Sequence, residues 1–567
     1  MAFIQARTSR GKKYWSIVEC RRVNGKPRTF ILEYLGTADS LLKQRQQGLL
    51  LKSYSHGDIS ALLNAAIELD VINIINKYIP CNTKGTKPKR DGLTVGASFL
   101  LAAIGRACHP TSKLGWYNWC KGTSLEYSLK SQLKALDSQH FWDQMNTLPV
   151  EAIPKIEEEI ITKLIDLQDL KLDCLFFDTT NFFTFINTTN NHCDLPRRGR
   201  NKQKRFDLRQ IGLALLVSRE DQFPLFHQTY HGNKNDITVF KENCGRLLER
   251  LQRITKELTD VTLVFDKGNN SKENFATLAQ TQDCYYVVGL VSSYFKELIK
   301  EANKNFVEIE LEGETIPAYR TKSMIWGQEL TCVITISSQL KEGQIQGIMQ
   351  NLAKKQRTLN NFKQQLENPK GRKKFTRSEI KNRIQSIMKG QFIEDILKYE
   401  IIKHKNGKLS FTHFIDNSSF DELKKEILGR KIVATNRHKW NNVEILLAYR
   451  GQSKVEYAFR SLKNPYHMAI RPQYHWTDQK IEAHFLICII GYLLTVYIYR
   501  KTKHCYFRNI SHLMDALRDI RLACITERKN KISYQLEEVS PSMREVAKKL
   551  NISNETIRPK INFSDYI

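Results

Sequence analysis

The stretch from Leu172 to Leu290 limits what this chain can become more than any other part of it. Leu175-Phe176-Phe177-Asp178 reads as a strand. Gln210 to Ser218 and Phe223 to Tyr230 read as two more, joined by a tight connection at Arg219 to Gln222. Asp236 to Leu251 is helical, Leu263-Val264-Phe265-Asp266 is a fourth strand, Lys272 to Ala279 a second helix, and Tyr285 to Leu290 a fifth strand. Three meandering strands followed by alternating helix and strand bury their apolar sides as a mixed sheet with helices on its faces, so the fold class is α/β. Two of the strands close on an aspartate. An ionised carboxylate at the end of a buried strand is costly unless it is paired, hydrogen-bonded or bound to a cation. Taken singly, each Asp reads as a turn residue or helix cap. Side by side, the two strands would bring Asp178 and Asp266 to one sheet edge, which suits a hard cation such as Mg²⁺.

The flanking segments have a different texture. Met1 to Gly36 carries short strands, Tyr14 to Val18 and Thr29 to Leu32, either side of the hairpin signal Asn24-Gly25. Ser53 to Lys171 is helical, with one apolar stripe at Leu62, Leu63, Ala66, Leu69 and Ile72 and a further apolar helix from Thr94 to Ile104. Ser292 to Arg430 interrupts the strand–helix scheme. It opens with strand-like Val307 to Leu311 and Leu330 to Ile336, then turns helical. Ile345, Ile348, Leu352, Leu359, Phe362 and Leu366 fit a heptad seam with the charged Lys355 at one position. Asn368-Pro369-Lys370-Gly371 breaks that helix, and a second one carries Ile380, Ile384 and Ile387, giving a helical hairpin. From Lys341 to Lys389 there are 13 Lys and Arg against 3 Glu, which reads equally as a solvated arm or as an arm along DNA or a partner.

Charge narrows the partners. Lys plus Arg total 88 against 59 Asp plus Glu, a net +29. Phosphate contacts and counterion release reward clustered cations, so nucleic acid is the first candidate, with an anionic membrane surface as its rival. Hydrophobic residues make up 41% of the chain, which argues against pervasive disorder. The 12 cysteines form no CxxC, and His192-Cys193 has no second pair at finger spacing. That pattern speaks against zinc and for a reducing cytosol. Met1 to Lys13 lacks the apolar segment of a secretion signal. The longest apolar run, Phe485 to Tyr499, is short of the ~18 residues of a membrane span and reads as a core helix.

A third acid stands in Tyr449-Arg450-Gly451-Gln452-Ser453-Lys454-Val455-Glu456-Tyr457-Ala458-Phe459-Arg460-Ser461-Leu462-Lys463. Val455, Phe459 and Leu462 form an apolar stripe. Tyr449, Gln452, Glu456, Arg460 and Lys463 recur at offsets of three or four on another. Surface ion pairing accounts for Glu456 with Arg460, but not for the match with two strand-end aspartates. Together these residues resemble the bacterial insertion-sequence transposases of the DDE type, within the group that has a large insertion between the second Asp and the Glu. That group carries the signature Tyr, two residues, Arg, three residues, Glu, six residues, Lys. Tyr449, Glu456 and Lys463 match it, while position 452 is Gln where the pattern has Arg, with Arg450 and Lys454 nearby. Gly232-Asn233-Lys234-Asn235-Asp236, Ala434-Thr435-Asn436, and Ile470-Arg471-Pro472 with His475 and His484 are further family-like passages. The resemblance covers roughly Leu172 to Tyr499.

The resemblance implies a ribonuclease-H-like mixed sheet, interrupted by the β-plus-helical-hairpin insertion and preceded by a helical region. It implies this division: 1–50 β-rich, 51–171 helical and suited to DNA ends, 172–291 the first part of the catalytic core, 292–430 the insertion, 431–500 the second part of the core, and 501–567 a helical tail. It implies metal-dependent cleavage of DNA and strand transfer with two Mg²⁺ or Mn²⁺ ions about 4 Å apart. Asp178 would bridge the ions, and Asp266 and Glu456 would each complete one site. The partners implied are the terminal inverted repeats and target DNA, bound by a homodimer, with no membrane, in the bacterial cytoplasm at the nucleoid. Tyr449, Arg450, Arg460 and Lys463 would contact DNA, as would the run Arg197, Arg198, Arg200, Lys202, Lys204 and Arg205. Trp326 would stack on a displaced base, or else be a core residue of the insertion's strands. Two alternatives stay open: a metal-dependent nuclease that cuts without joining, and a non-catalytic DNA-binding protein derived from a transposase.

Overall fold

The structure is a computed structural model. It describes residues 2–23, 25–46, 50–201, 203–255, 260–279, 284–368, 375–404, 407–471, 473–505, 507–526 and 532–552. The chain forms two compact units, one of Met1–Ile156, Leu462–His475 and Gln479–Ile567, the other of Glu157–Ser461 and Trp476–Asp478.

The second unit is built on a nine-stranded mixed sheet. Cys174–Phe183, Gln210–Ser218 and Pro224–His231 form an antiparallel meander. Val261–Phe265 lies parallel to Cys174–Phe183 on its other side, and Cys284–Leu290 lies parallel to Val261–Phe265. All of Gln210–Ser218 is buried, as befits an unalternating apolar run covered on both faces. Glu157 anchors its helix beneath the meander. Its buried carboxylate accepts from His227 and, at 2.8 Å, from Arg250.

One expectation about this sheet needs correction. The Asp178 strand does not end at Asp178 but runs on to Phe183, and only its burial changes there, from buried through Phe177 to half-buried over Asp178–Asn181. The strand-like pieces of the insertion join this same sheet. Arg430–Thr435 pairs antiparallel with Cys284–Leu290, and Gln328–Ile336, Glu314–Ile325 and Val307–Leu311 continue outward from it in turn. The insertion therefore extends the sheet. The core strands accept it because an open sheet edge leaves backbone groups to be paired.

Beyond this extension rises an arm of Ser338–Glu367, Arg377–Met388 and the hairpin of Leu397–Lys403 with Leu409–Ile415. It has its own core, including Ile348, Leu352, Leu359, Phe362, Ile380 and Ile384, with Ile345, Leu366 and Ile387 at its margin. The seam charge Lys355 is accommodated by donating to the Lys389 carbonyl at 3.2 Å. Thr376 and Glu379 form a capping box that starts the second helix. The helix break at Pro369-Lys370-Gly371 lies outside the described residues, as do Asn24 of the hairpin signal and Pro472.

In the first unit, Ala2–Ser9, Lys12–Val23 and Lys26–Gly36 form an antiparallel sheet. The stripe from Leu62 to Ile72 belongs to two helices, Gly57–Glu68 and Val71–Lys77, because Asp70 adopts a left-handed φ of 56° between them. The segment read as a helical tail also holds strands. Arg521–Thr526 pairs with Ile532–Leu536 on one side and with Leu50–Ser55 on the other, a long-range pairing that periodicity cannot reveal. The apolar helix Asp478–Lys501 is long and apolar enough to cross a membrane, but its apolar window is 94% buried within the protein, as a core helix would be.

Candidate active site

Phe177 and Phe265 are register partners on neighbouring parallel strands, so the next residues, Asp178 and Asp266, stand at one level of the sheet. Asp178 is half-buried and accepts from the Thr179 backbone N–H at 2.7 Å. Burial pushes its carboxyl up to about 7. The negative charges of Asp266, Asp236 and Glu456 push it the same way, while the Thr179 N–H opposes them. The other two acids singled out in the sequence thus both act on Asp178, and a fourth joins them. Asp236 opens the helix Asp236–Thr255 and accepts from the Thr179 hydroxyl at 2.6 Å. Sequence reasoning noted Asp236 only within a family-like passage and gave it no role. The available signal was an acid at the first turn of a helix directly after the third meander strand.

Glu456 lies exposed on Ser453–Lys463, whose Val455, Phe459 and Leu462 are buried. The start of this helix is held close to the sheet by Gly451, where an added Cβ would stand 2.4 Å from the Phe176 ring. Tyr449, expected on DNA, points its hydroxyl at Asp266 instead and donates to Oδ1 at 3.3 Å. Burial and the Asp266 charge both raise the pKa of this phenol. Gly289, beside Asp266 on the next strand, leaves the room the Tyr449 ring occupies, since a Cβ there would fall 2.1 Å from the hydroxyl. Tyr449 is therefore placed to position Asp266.

The remaining sites divide. Arg450, also expected on DNA, is engaged by Glu312 at 2.8 Å and Glu314 at 3.8 Å, at the turn between two inserted strands. Arg460 is exposed, with its guanidinium 5.5 Å over the Tyr457 ring. Lys463 closes the helix that carries Glu456. In the basic run, Arg197 pairs with Asp194, and Arg205 with Asp207 at 2.7 Å. Arg198, Arg200 and Lys204 are exposed, and Lys202 lies outside the described residues. The run is tethered by backbone hydrogen bonds between Arg197 and Gln210 in both directions, at 3.0 and 2.8 Å.

Trp326 does not fit a role at a cut DNA end. Trp326-Gly327 is the two-residue turn between paired Ile325 and Gln328, with φ of 48° and 86°, the geometry of a type I′ hairpin. Its ring packs edge-on against Phe275 at 4.7 Å. Val333 is level with Gly289 through Val433, and so with Asp266. Trp326 precedes Val333 by seven residues, which places it roughly 24 Å along the strand towards the opposite end of the sheet. It is a half-buried packing residue at the turn between two of the insertion's strands.

Among the described residues no three His, Cys, Asp or Glu side chains are drawn into a metal-ligand group. The donor set nevertheless fits a hard divalent cation. It consists of carboxylate oxygens whose mutual repulsion such a cation would neutralise.

A mixed sheet carrying acids on two neighbouring strands and on a helix beside them defines a class of α/β proteins with an acidic sheet edge. Within that class the family can be stated. Residues 183–494, more than half of the chain, match the model of the transposase DDE domain, and the chain belongs to that family. Asp266 and Glu456 fall inside the matched span and Asp178 just before it. Among solved structures, a cryo-EM structure of the piggyBac transposase synaptic complex with hairpin DNA is similar at 12% identity, covering 81% of this chain and 79% of that one with a TM-score of 0.36. No curated protein matches.

Proposed function

We propose that this member of the transposase family cleaves DNA at the ends of a mobile segment and joins the freed 3′ ends to target DNA, with Asp178, Asp266 and Glu456 holding Mg²⁺ or Mn²⁺. The observation that carries this reading is the register that sets Asp178 and Asp266 at one level on neighbouring strands, with Asp236 joined to the first through Thr179 and Tyr449 to the second. Such a site is poorly suited to standing as bare charge and well suited to hard cations. The strand order, an antiparallel meander flanked by two parallel strands, supports a ribonuclease-H-like core.

When bound, two divalent ions activate the attacking oxygen and stabilise the leaving one. The chain's own residues do the positioning. Tyr449 orients Asp266, and Thr179 holds Asp178 by its backbone N–H and Asp236 by its hydroxyl. Arg198, Arg200, Lys204, Arg460 and Lys463 take DNA phosphates, a sequence-independent contact that fixes register. Gln452, where the family signature has Arg, leaves end binding to these cations. The DNA complex is a homodimer in this reading.

The test is Asp178→Asn. It removes a carboxylate oxygen and no phosphate contact, so cleavage of terminal-repeat DNA in Mg²⁺ is lost and DNA binding is kept. Ca²⁺ supports binding without efficient cutting, because it accepts looser and longer coordination. Pre-cut ends incubated with target DNA give joined products, which separates a transposase from a nuclease. Wild-type cutting by the Asn variant, or full activity in excess chelator, overturns the site.

A further inference from the structure

The first unit contains a group of buried and half-buried bases that the site above does not use. Arg106, in the helix Val95–Cys108, is 7% exposed and donates to the carbonyls of Ala469 and Arg471, both at 3.2 Å. Lys113 reaches the His475 ring, whose Nδ1 meets Gln473 at 2.7 Å and which stacks on His484 at 4.3 Å. Among the described residues no ion pair to a carboxylate is formed by either Arg106 or Lys113, and their strongest polar neighbours are carbonyls and another base. Burial, with the Arg106 charge adding to it, lowers the Lys113 ammonium to about 7. The same causes, with Lys113 among the charges, drive His475 well below its usual value. A buried guanidinium and a half-buried ammonium held close without a counter-charge are unfavourable for the fold, and an anion placed between them would reverse that.

There is room for one. A cavity of about 170 Å³ is lined by Arg106, Ser112, Lys113, Trp142, Tyr474 and His475 among others. A bare inorganic anion would not fill it, and the Trp142 indole, with the Lys480 ammonium 4.9 Å over its ring, is part of its wall. We propose that this cavity binds a phosphoryl group of the kind a nucleotide carries. Arg106 and Lys113 meet the charge, Ser112 donates from the rim, and the attached ring lies towards Trp142. Guanidinium and ammonium groups are the usual phosphate partners, and indole faces accept nucleobases irrespective of sequence. A free nucleotide and a nucleotide within a DNA strand share this chemistry. The assignment does not rest on the carboxylates, all of which lie in the other unit. It also gives a role to His475, in a family-like passage that the proposed chemistry leaves unused.

The experiment is calorimetric titration of the full chain with inorganic phosphate, with dAMP, and with a short single-stranded oligonucleotide. Wild type is compared with Lys113→Met, which removes a cation, and Ser112→Glu, which supplies the missing negative charge from an exposed position. At least one probe should bind the wild type with a Kd that rises tenfold or more in both variants, and the tightest probe identifies the source. In buffer free of phosphate both variants should melt at or above the wild-type midpoint, because each relieves repulsion, whereas a merely structural Lys113 would lower it on removal. Absence of binding by every probe, equal affinity in all three proteins, or a lower midpoint in both variants overturns the assignment.

Discussion

Replacing Gly289 by Ala tests whether the Tyr449–Asp266 contact is a working part of the site. The added carbon would stand 2.1 Å from the Tyr449 hydroxyl, 2.7 Å from Cζ and 3.0 Å from Cε2, where ordinary contact begins at 3.4 Å. The hydroxyl must therefore retreat by roughly 1.3 Å, in a region already close-packed. Its hydrogen bond to Asp266 spans 3.3 Å before the change, so this retreat breaks it. Overpacking of this kind destabilises a fold by about 1–3 kcal/mol. Misplacing a catalytic group by about 1 Å slows chemistry by about 100-fold. Urea denaturation should register the first effect, and the rate of metal-supported cleavage of terminal-repeat DNA the second. Tyr449→Phe deletes the atom in closest conflict, so Gly289→Ala should cost less in that background, with a coupling of about 1 kcal/mol in a double-mutant cycle. A Gly289→Ala protein that matches wild type in urea midpoint and in cleavage rate would refute the reasoning.

Arg198→Ala should lower DNA affinity about equally for all sequences and reduce the slope of log K against log salt by about one unit if one phosphate contact is lost; an unchanged slope removes Arg198 from the interface. Glu157→Gln leaves Arg250 buried without its carboxylate partner and should lower stability by about 3–5 kcal/mol in urea, whereas a change below ~1 kcal/mol would show that the network with His227 is dispensable. Burial lowers His56 from 6.5 to about 4, so between those values the folded chain binds fewer protons than the unfolded one. Its contribution is whole above pH 6.5 and is lost as pH falls towards 4, by about 3 kcal/mol. His56→Gln should shrink the gap between urea midpoints at neutral and acid pH, and an undiminished gap would assign the acid sensitivity elsewhere.

Much of the sheet was legible because its strands are short, apolar and uninterrupted. Gln210–Ser218 is buried at every position and has the limits the sequence indicates. The helical arm was legible for a related reason: one periodic stripe, from Ile348 to Phe362, maps onto one core. What escaped depends on pairing between distant segments. Arg430–Thr435 becomes a strand by filling the gap between Cys284–Leu290 and Gln328–Ile336, and Leu50–Ser55 by meeting Arg521–Thr526. Nothing local announces either. The same holds in the site. Glu456 could be placed by helical spacing, but Asp236 enters through the Thr179 hydroxyl, and Arg450 is drawn to Glu312, a contact 138 residues away in the chain. The two readings of Trp326 could not be separated in the sequence, because the register of the hairpin decides which end of the sheet it occupies.

The neck of the arm makes the arm separable from the sheet in a way the whole insertion is not. Ser337 donates its backbone N–H to the Gly429 carbonyl at 2.8 Å, and the Gly429 N–H returns to the Gln344 side chain at 2.7 Å. The chain thus leaves and re-enters the sheet at adjoining points, with a complete apolar core between them. Closing so short a span requires little chain and little entropy. The natural unit of gain or loss in evolution is then 338–428 rather than 292–430. A gene could shed the arm for a short turn and keep all nine strands paired, whereas a cut at the wider limits would remove three strands and strip Arg430–Thr435 of a neighbour, leaving an open edge prone to aggregation.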